Sequence, residues 1–294
     1  MHSAVDSEGG ILLTAIRFTK MHGLGNDYLF IDNRDPLACD WPALAKAMSD
    51  RHFGVGSDGI ILIGPSDAAP VSMRIFNLDG SESEMCGNGL RAMAKWLFDR
   101  GQLGKEQAIE TGAGVLYPEV TEVKNGKAVR IRVDMGKPRW SRSDLGVTAG
   151  DQEDTFIDQS LEVEGNEVIV TGVSMGNPHL IAFGPLWDLE RLQQLGPRLE
   201  KHPWFPRRTN VHSVEVKSAS QISMRHWERG SGPTLACGTG VSAAVAAAYA
   251  SGRAGPAVRV SVPGGELDAR ISEDGRIFLE GPAVEICEGI YDPA

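Results

Sequence analysis

The chain contains one pattern twice. Cys86-Gly-Asn-Gly89 is echoed by Cys237-Gly-Thr-Gly240, 151 positions further on. At the same offset and without a gap, Val71-Ser-Met-Arg-Ile-Phe-Asn77 aligns with Ile222-Ser-Met-Arg-His-Trp-Glu228. Gly25-Asn26 meets Gly176-Asn177, Leu29 meets Leu180, Gly59 meets Asn210, Gly114 meets Gly265 and Leu116 meets Leu267. A tetrapeptide recurs by chance, but matched segments at a single spacing from Gly25 to Leu116 point to duplication. A length of 294 residues suits two medium domains, each with its own core. The halves are read as residues 16–133 with 282–294 returning to them, and residues 134–281. Residues 1–15 have no counterpart and form an extension.

Within each half, short β-branched or apolar runs are bounded by Gly, Pro, Asn and Asp, as in Tyr28 to Ile31, Ile60 to Ile63, Ala128 to Val133 and Val258 to Val262. These predict strands. After each C-G-x-G the period changes: Leu90, Met93, Ala94 and Leu97 recur at helical spacing, as do Val241, Ala244, Val245 and Ala248. Gly101 and Gly252 are suited to the helix ends. The stretch Val241 to Ala250 is small or apolar on nearly every face, which predicts burial all round. The expected fold class is therefore α+β, with two pseudo-symmetric duplicated domains. Each is a mostly antiparallel, β-barrel-like sheet wrapped round a central helix whose start carries the cysteine.

Composition narrows the function. Lys+Arg number 29 against 39 Asp+Glu, a net charge of −10, and no basic patch offsets that field, so no nucleic-acid partner is expected. No run approaches the roughly 18 apolar residues of a membrane span, and Ile11 to Ile16 is too short for a signal peptide. No membrane partner is expected, and a cytoplasmic location is. Four cysteines with no C-x-x-C pair make neither a disulfide scaffold nor a zinc site, so no metal is assigned. Gly54-Val-Gly-Ser-Asp-Gly59 fits a dinucleotide fingerprint, but a helix-like run precedes it and a strand-like run follows, the reverse of what that motif needs. Gly172-Val-Ser-Met-Gly176 resembles a nucleophile elbow yet leads into the strand-like His179 to Phe183, so Ser174 reads as structural. Gly232 to Gly238 has Thr239 where a phosphate-binding loop needs lysine.

A cysteine just before a helix has its thiolate stabilised by the helix dipole and by unpaired amides, which predicts a lowered pKa for both Cys86 and Cys237. The Gly-x-Gly that follows uncovers backbone amides to which a carboxylate can bind. A lone cysteine in this setting would read as a small buried hydrophobe. Two at equivalent positions suggest thiols facing one another across a domain interface. Inversion at an amino-acid α-carbon needs such a pair, one thiolate removing the proton while a thiol protonates the other face. Cys39 and Cys287 have no repeat partner and read as structural.

Phe18-Thr-Lys-Met-His-Gly-Leu-Gly-Asn-Asp27, Phe76-Asn-Leu-Asp-Gly-Ser-Glu82, Met85-Cys-Gly-Asn-Gly89, Met175-Gly-Asn-Pro-His179, Glu228-Arg-Gly-Ser-Gly232 and Ala236-Cys-Gly-Thr-Gly240 together resemble the diaminopimelate epimerase family over about residues 17 to 290. The resemblance implies cofactor-independent epimerisation of LL-2,6-diaminopimelate to the meso form in lysine and peptidoglycan precursor synthesis, and a homodimer. It implies that Cys86 and Cys237 are the acid/base pair, supported by His179 and Glu228. Asn26, Gly59, Asn77, Asn177, Asn210, Glu228 and Arg229 fall at substrate-binding positions, and Gly87-Asn88 and Gly238-Thr239 offer amides to a carboxylate. Gly59 stands where some members have a glutamine, and Pro233 where a glutamate is common. Two other readings remain open. One is a proline racemase or hydroxyproline epimerase of the same fold, whose Met-Cys-Gly-His-Gly this chain replaces with Asn88 at the histidine. The other is an amino-acid-binding or thiol-redox protein without epimerase activity.

Overall fold

The computed structural model describes Ala4–Val5, Ile11–Leu12 and residues 15–293. The two short pieces pair as β1 and β2, and apart from Ala15 the rest of the 1–15 extension lies outside the described residues. The chain divides into two compact units: one runs to Val133 and takes in the chain from Pro282 onward, and the other is Asp134–Gly281.

The first unit consists of β3 (Ile16–Gly23), β4 (Asn26–Asp32), α1 (Trp41–Ser49), β5 (Gly59–Gly64), β6 (Val71–Asn77), β7 (Glu82–Ser83), α2 (Gly87–Asp99), β8 (Ile109–Thr111), β9 (Gly114–Leu116), β10 (Glu119–Lys124) and β11 (Lys127–Asp134). The second has α3 (Arg142–Leu145), β12 (Gln159–Val163), β13 (Asn166–Ser174), β14 (Pro178–Phe183), α4 (Leu189–Glu200), β15 (Asn210–Ser218), β16 (Gln221–Glu228), β17 (Gly232–Thr234), α5 (Gly238–Ala250), β18 (Ala257–Val262), β19 (Gly265–Ile271) and β20 (Ile277–Gly281). The final strand, β21 (Val284–Tyr291), pairs with β3 in the first unit.

The repeat is visible in the register. In the first unit β4 runs parallel to β5 with Leu29 opposite Ile60, and β6 parallel to β8 with Val71 opposite Ile109. The second unit pairs β14 with β15 through Leu180 and Val211, and β16 with β18 through Ile222 and Val260, each residue displaced by the same 151 positions. The sheets are mixed: the helices α1, α2, α4 and α5 each make a crossover that returns the chain parallel to the strand it left, while the other pairings within each unit are antiparallel. Sequence reading misses α4 because Gly196 and Pro197 interrupt it, yet Asp188 caps its start and Leu192, Leu195 and Leu199 are buried at helical spacing. Gly196 is required by packing, since a Cβ there would lie 2.5 Å from the Trp227 ring.

The central helices behave as their sequences predict. In α5 every residue from Gly240 to Ala248 is buried, against β13, β14, β15, β19 and β20. In α2 burial extends from Gly87 to Leu97, against β3, β4, β10 and β21. Gly101 and Gly252, at φ of 66° and 68°, take the left-handed turn just beyond each helix. Among the described residues no helix is long and apolar enough to cross a membrane.

The first helix is pinned at its far end by a buried ion pair. Lys95 Nζ donates to Asp99 Oδ2 and to the Ala128 carbonyl, both at 2.7 Å, and Asp99 Oδ1 accepts from the Ala128 amide at 2.7 Å. The Lys95 and Asp99 side chains are 10% and 3% exposed, so removing one partner strands the other without water. We expect Lys95→Ala to destabilise the chain by about 3 kcal/mol, the low end for breaking a buried pair. Urea denaturation of the variant measures this.

Candidate active site

Each unit carries its own share of the predicted residues at the start of its central helix. In the first unit Cys86 is the N-cap of α2, in extended conformation at φ −140°, and its Sγ accepts from the Gly89 amide at 3.4 Å. Asn26, at the turn between β3 and β4, donates through Nδ2 to Asp58 at 2.7 Å. That bond leaves Asn26 Oδ1 to accept from Cys86 Sγ at 3.5 Å and from Asn88 Nδ2 at 3.2 Å. Asn88 is held in turn by Arg91, whose Nη2 donates to Oδ1 at 2.6 Å. Burial brings the Arg91 pKa down to about 10. The Tyr28 phenol lies beside Cys86; burial first, and then the charge of Cys86, raise its pKa well above the ordinary tyrosine value.

Other expected residues of this unit contribute differently. Gly59 pairs with Asn77 across β5 and β6, and a Cβ there would fall 2.3 Å from the Phe76 carbonyl, so this position presents backbone only. Asn77 is half-buried and donates to Ser81 Oγ at 3.0 Å. Gly87 is buried at the helix start, and a Cβ on Gly89 would come within 2.6 Å of Ile61.

In the second unit Cys237 caps α5 in the same extended conformation, at φ −130°, and is 5% exposed. Its Sγ is 3.6 Å from Thr239 Oγ1, which is 3.5 Å from Asn177 Nδ2. Asn177 Oδ1 faces His179 Nε2 at 2.9 Å. Behind His179 lie two more buried histidines: His179 Nδ1 meets His212 Nε2 at 2.9 Å, and His212 Nδ1 meets His226 Nδ1 at 3.1 Å. Burial lowers the pKa of His179 and of His226 to about 3, and that of His212 well below the usual value, so all three rings are neutral.

Glu228, at the end of β16, accepts from Thr234 Oγ1 at 2.5 Å. Asn210 spends its side chain on the backbone, donating to the Pro178 carbonyl and accepting from the Arg229 amide, both at 2.9 Å. The Arg229 side chain is exposed, with Nη1 donating to the Arg207 carbonyl at 3.0 Å. Gly238 is half-buried, with room for a Cβ at ordinary contact distance from Leu279 and Met135.

The expectation of a lowered pKa is overturned for Cys237. Burial and then the negative charge of Glu228 push its thiol well above the ordinary cysteine value, although Thr239 and the Gly240 amide act in the other direction. Desolvation of an anion outweighs the helix dipole here, so Cys237 is a thiol at neutral pH. Cys39 is half-buried and Cys287 exposed on β21, and all four cysteines are free. One donor atom each of His179, His212 and Cys237 lies within 4.8 Å of the other two, the spacing of a soft-metal site, but both ring nitrogens of each histidine already face a hydrogen-bond partner. A depression of about 500 Å³ on the first unit, lined by Arg74, Glu82, Glu84 and Glu110 among others, contains none of the expected residues.

Sequence reasoning did not single out Tyr28, Asp58, His212 or His226. The repeat held the signal for three of them: at the offset of 151, Tyr28 stands opposite His179, Ile61 opposite His212 and Ile75 opposite His226. An apolar position in one copy that is histidine in the other marks where the copies have diverged in chemistry.

The family model described as Diaminopimelate epimerase matches residues 18–141 and 171–286. Diaminopimelate epimerase from Pelotomaculum thermopropionicum is 45% identical over 279 residues, covering 94% of this chain and 99% of that protein. Diaminopimelate epimerase 1 of a Nostoc species is 46% identical over 284 residues, with coverage of 94% and 99%. Among solved structures, a phenazine biosynthesis protein of the PhzF family from Bacillus anthracis superposes with a TM-score of 0.71 at 19% identity, over 95% of this chain and 99% of that one. A probable proline racemase from Agrobacterium radiobacter gives 0.66 at 15% identity, over 95% and 93%. These last two likenesses concern the fold alone.

The raised pKa of Cys237 has a direct consequence. Glu228→Gln removes the adjacent negative charge, so the thiol should ionise at lower pH, and alkylation of Cys237 by iodoacetamide at pH 8 should become several-fold faster because only the thiolate reacts. Peptide mass spectrometry across a pH series follows the reaction, and an unchanged profile would contradict the role given to Glu228.

Proposed function

The chain belongs to the diaminopimelate epimerase family, and from that premise we propose that it interconverts LL- and meso-2,6-diaminopimelate with Cys86 and Cys237 as the acid/base pair. The observation that carries this reading is the matched setting of the two thiols: each is the N-cap of a buried helix opened by Gly-x-Gly. A thiol there stands next to amides that have no intrahelical partner, and these are donors for the substrate carboxylate.

The reaction breaks one Cα–H bond and forms another on the opposite face. With Cys237 protonated at rest, it serves as the proton donor in one direction, and Cys86, once its own proton has passed to solvent, takes the α-proton as thiolate; the roles exchange in the reverse direction. The carbanion spreads charge into the carboxylate, where amides of Gly87, Asn88, Gly238 and Thr239 stabilise it without reorganising. Asn26, Asn77, Asn177 and Asn210 supply or orient polar groups around the substrate. Arg229, whose exposed guanidinium suits bidentate binding, takes the distal carboxylate, and Glu228 its partner amine. This chemistry uses no cofactor.

Two finer proposals accompany this one. Four free thiols suit a reducing compartment, in keeping with a cytoplasmic enzyme. A homodimer is supported by β21, which ends the strand order of its sheet and exposes Val284, Ile286 and Ile290.

In deuterated water a two-thiol enzyme places solvent deuterium on nearly every new product molecule, because the donating thiol exchanges before substrate arrives. Unreacted substrate stays largely unlabelled early on. Cys86→Ala and Cys237→Ala should each lower epimerisation by roughly 10²- to 10⁴-fold, the usual worth of a general acid or base. Retention of the substrate α-hydrogen in product, measured by mass spectrometry, would exclude the pair.

A further inference from the structure

Hydrogen-bond accounting gives the three buried histidines a direction. Asn177 Nδ2 is turned to Thr239 Oγ1, so its Oδ1, which can only accept, faces His179 Nε2 at 2.9 Å and that nitrogen carries the hydrogen. A neutral imidazole has one N–H, so His179 Nδ1 is bare and accepts from His212 Nε2 at 2.9 Å. His212 Nδ1 is then bare and accepts from His226 Nδ1 at 3.1 Å. His226 Nε2 remains bare, and it is the ring nitrogen that the structure leaves buried without a partner. The opposite polarity would place a hydrogen on that atom, and a buried N–H without an acceptor is rarer than a bare acceptor.

We propose that His226, His212 and His179 form a directed hydrogen-bond relay through Asn177 and Thr239 to Cys237, in which His212 and His226 are positioning residues. Every donor in the chain points toward the sulfur. Thr239, having accepted from Asn177, keeps its hydroxyl hydrogen for Sγ, 3.6 Å away. The relay fixes the His179 tautomer and the Asn177 amide, and so holds a donor ready for the thiolate that forms when Cys237 gives up its proton. That last step rests on the catalytic role proposed for Cys237; the polarity of the chain does not.

The duplication supplies an internal control. Ile61 and Ile75 occupy in the first unit the positions of His212 and His226, and both are fully buried. The packing is shared: a Cβ on Gly89 would meet Ile61 at 2.6 Å, and one on Gly240 would meet His212 at 2.4 Å. The architecture thus accommodates isoleucine at both places, and two imidazoles in a water-free core are not a requirement of the fold. Polar rings retained there, each bonded to the next, act through their hydrogen bonds. The charged and titratable groups around Cys237 are Glu228, which opposes its ionisation, and these neutral histidines, with Arg229 acting on His179.

Two measurements on the full chain test the relay. Histidine-selective nitrogen-15 NMR at neutral pH should show hydrogen on Nε2 of His179 and His212 and on Nδ1 of His226; any other pattern overturns the direction. The double variant His212→Ile/His226→Ile copies the first unit and should fold. Its Cys237 should alkylate with a pH profile displaced upward, and kcat should fall roughly 10-fold with KM unchanged, as when a functional imidazole loses an outer hydrogen-bond partner. His226→Asn, which restores an amide donor near the Nδ1 position, should recover activity relative to His226→Ile. A Cys237 profile that superimposes on the unaltered protein's would refute the relay. Failure to epimerise diaminopimelate would count against the family-based activity instead, since the tautomers and the Cys237 profile are read without substrate.

Discussion

A helix enclosed by its own sheet cannot hide its first turn. The opening amides of α2 and α5 have no partners within the helix, and the strands around them leave no water to satisfy them along the sides. At each start stands a cysteine, and an asparagine from a β-turn bonds to the side chains there: Asn26 to Cys86 in one unit, Asn177 to Thr239 in the other. The small residues of α5 follow from the same enclosure. Gly240 packs so tightly on His212 that a methyl group would not fit.

From that shared frame the two copies diverge in chemistry. Cys86 has the Asn26 amide and the Tyr28 phenol beside it, and the buried Arg91 guanidinium, which holds Asn88, acts on it electrostatically. Cys237 lies beside a carboxylate and at the end of a line of imidazoles. Tyr28 and His179 are counterparts, as are Asn88 and Thr239, and Asn77 and Glu228. Equivalent backbone positions with different side chains allow one frame to place its two thiols in different surroundings. In the proposed reaction one thiol gives a proton while the other receives one, and the two exchange these states when the direction reverses.

Much of this was legible in the sequence because it depends on local pattern or on the repeat. The offset of 151 residues gave the duplicated topology, and the small apolar run Val241 to Ala250 gave the enclosed helix. Helix-start cysteines followed by Gly-x-Gly marked the two candidate sites before any fold was known, since the dipole and exposed amides are properties of a single helix. What required tertiary structure involves groups distant in the chain. The parallel pairings made by α1 and α4 join strands with no pattern of their own to announce direction. The Cys237 pKa rises instead of falling because desolvation and Glu228 are imposed by surrounding strands, and no local spacing reports how much water a site keeps. The order of the three histidines emerges only when β14, β15 and β16 lie side by side and bring residues 179, 212 and 226 to hydrogen-bond distance.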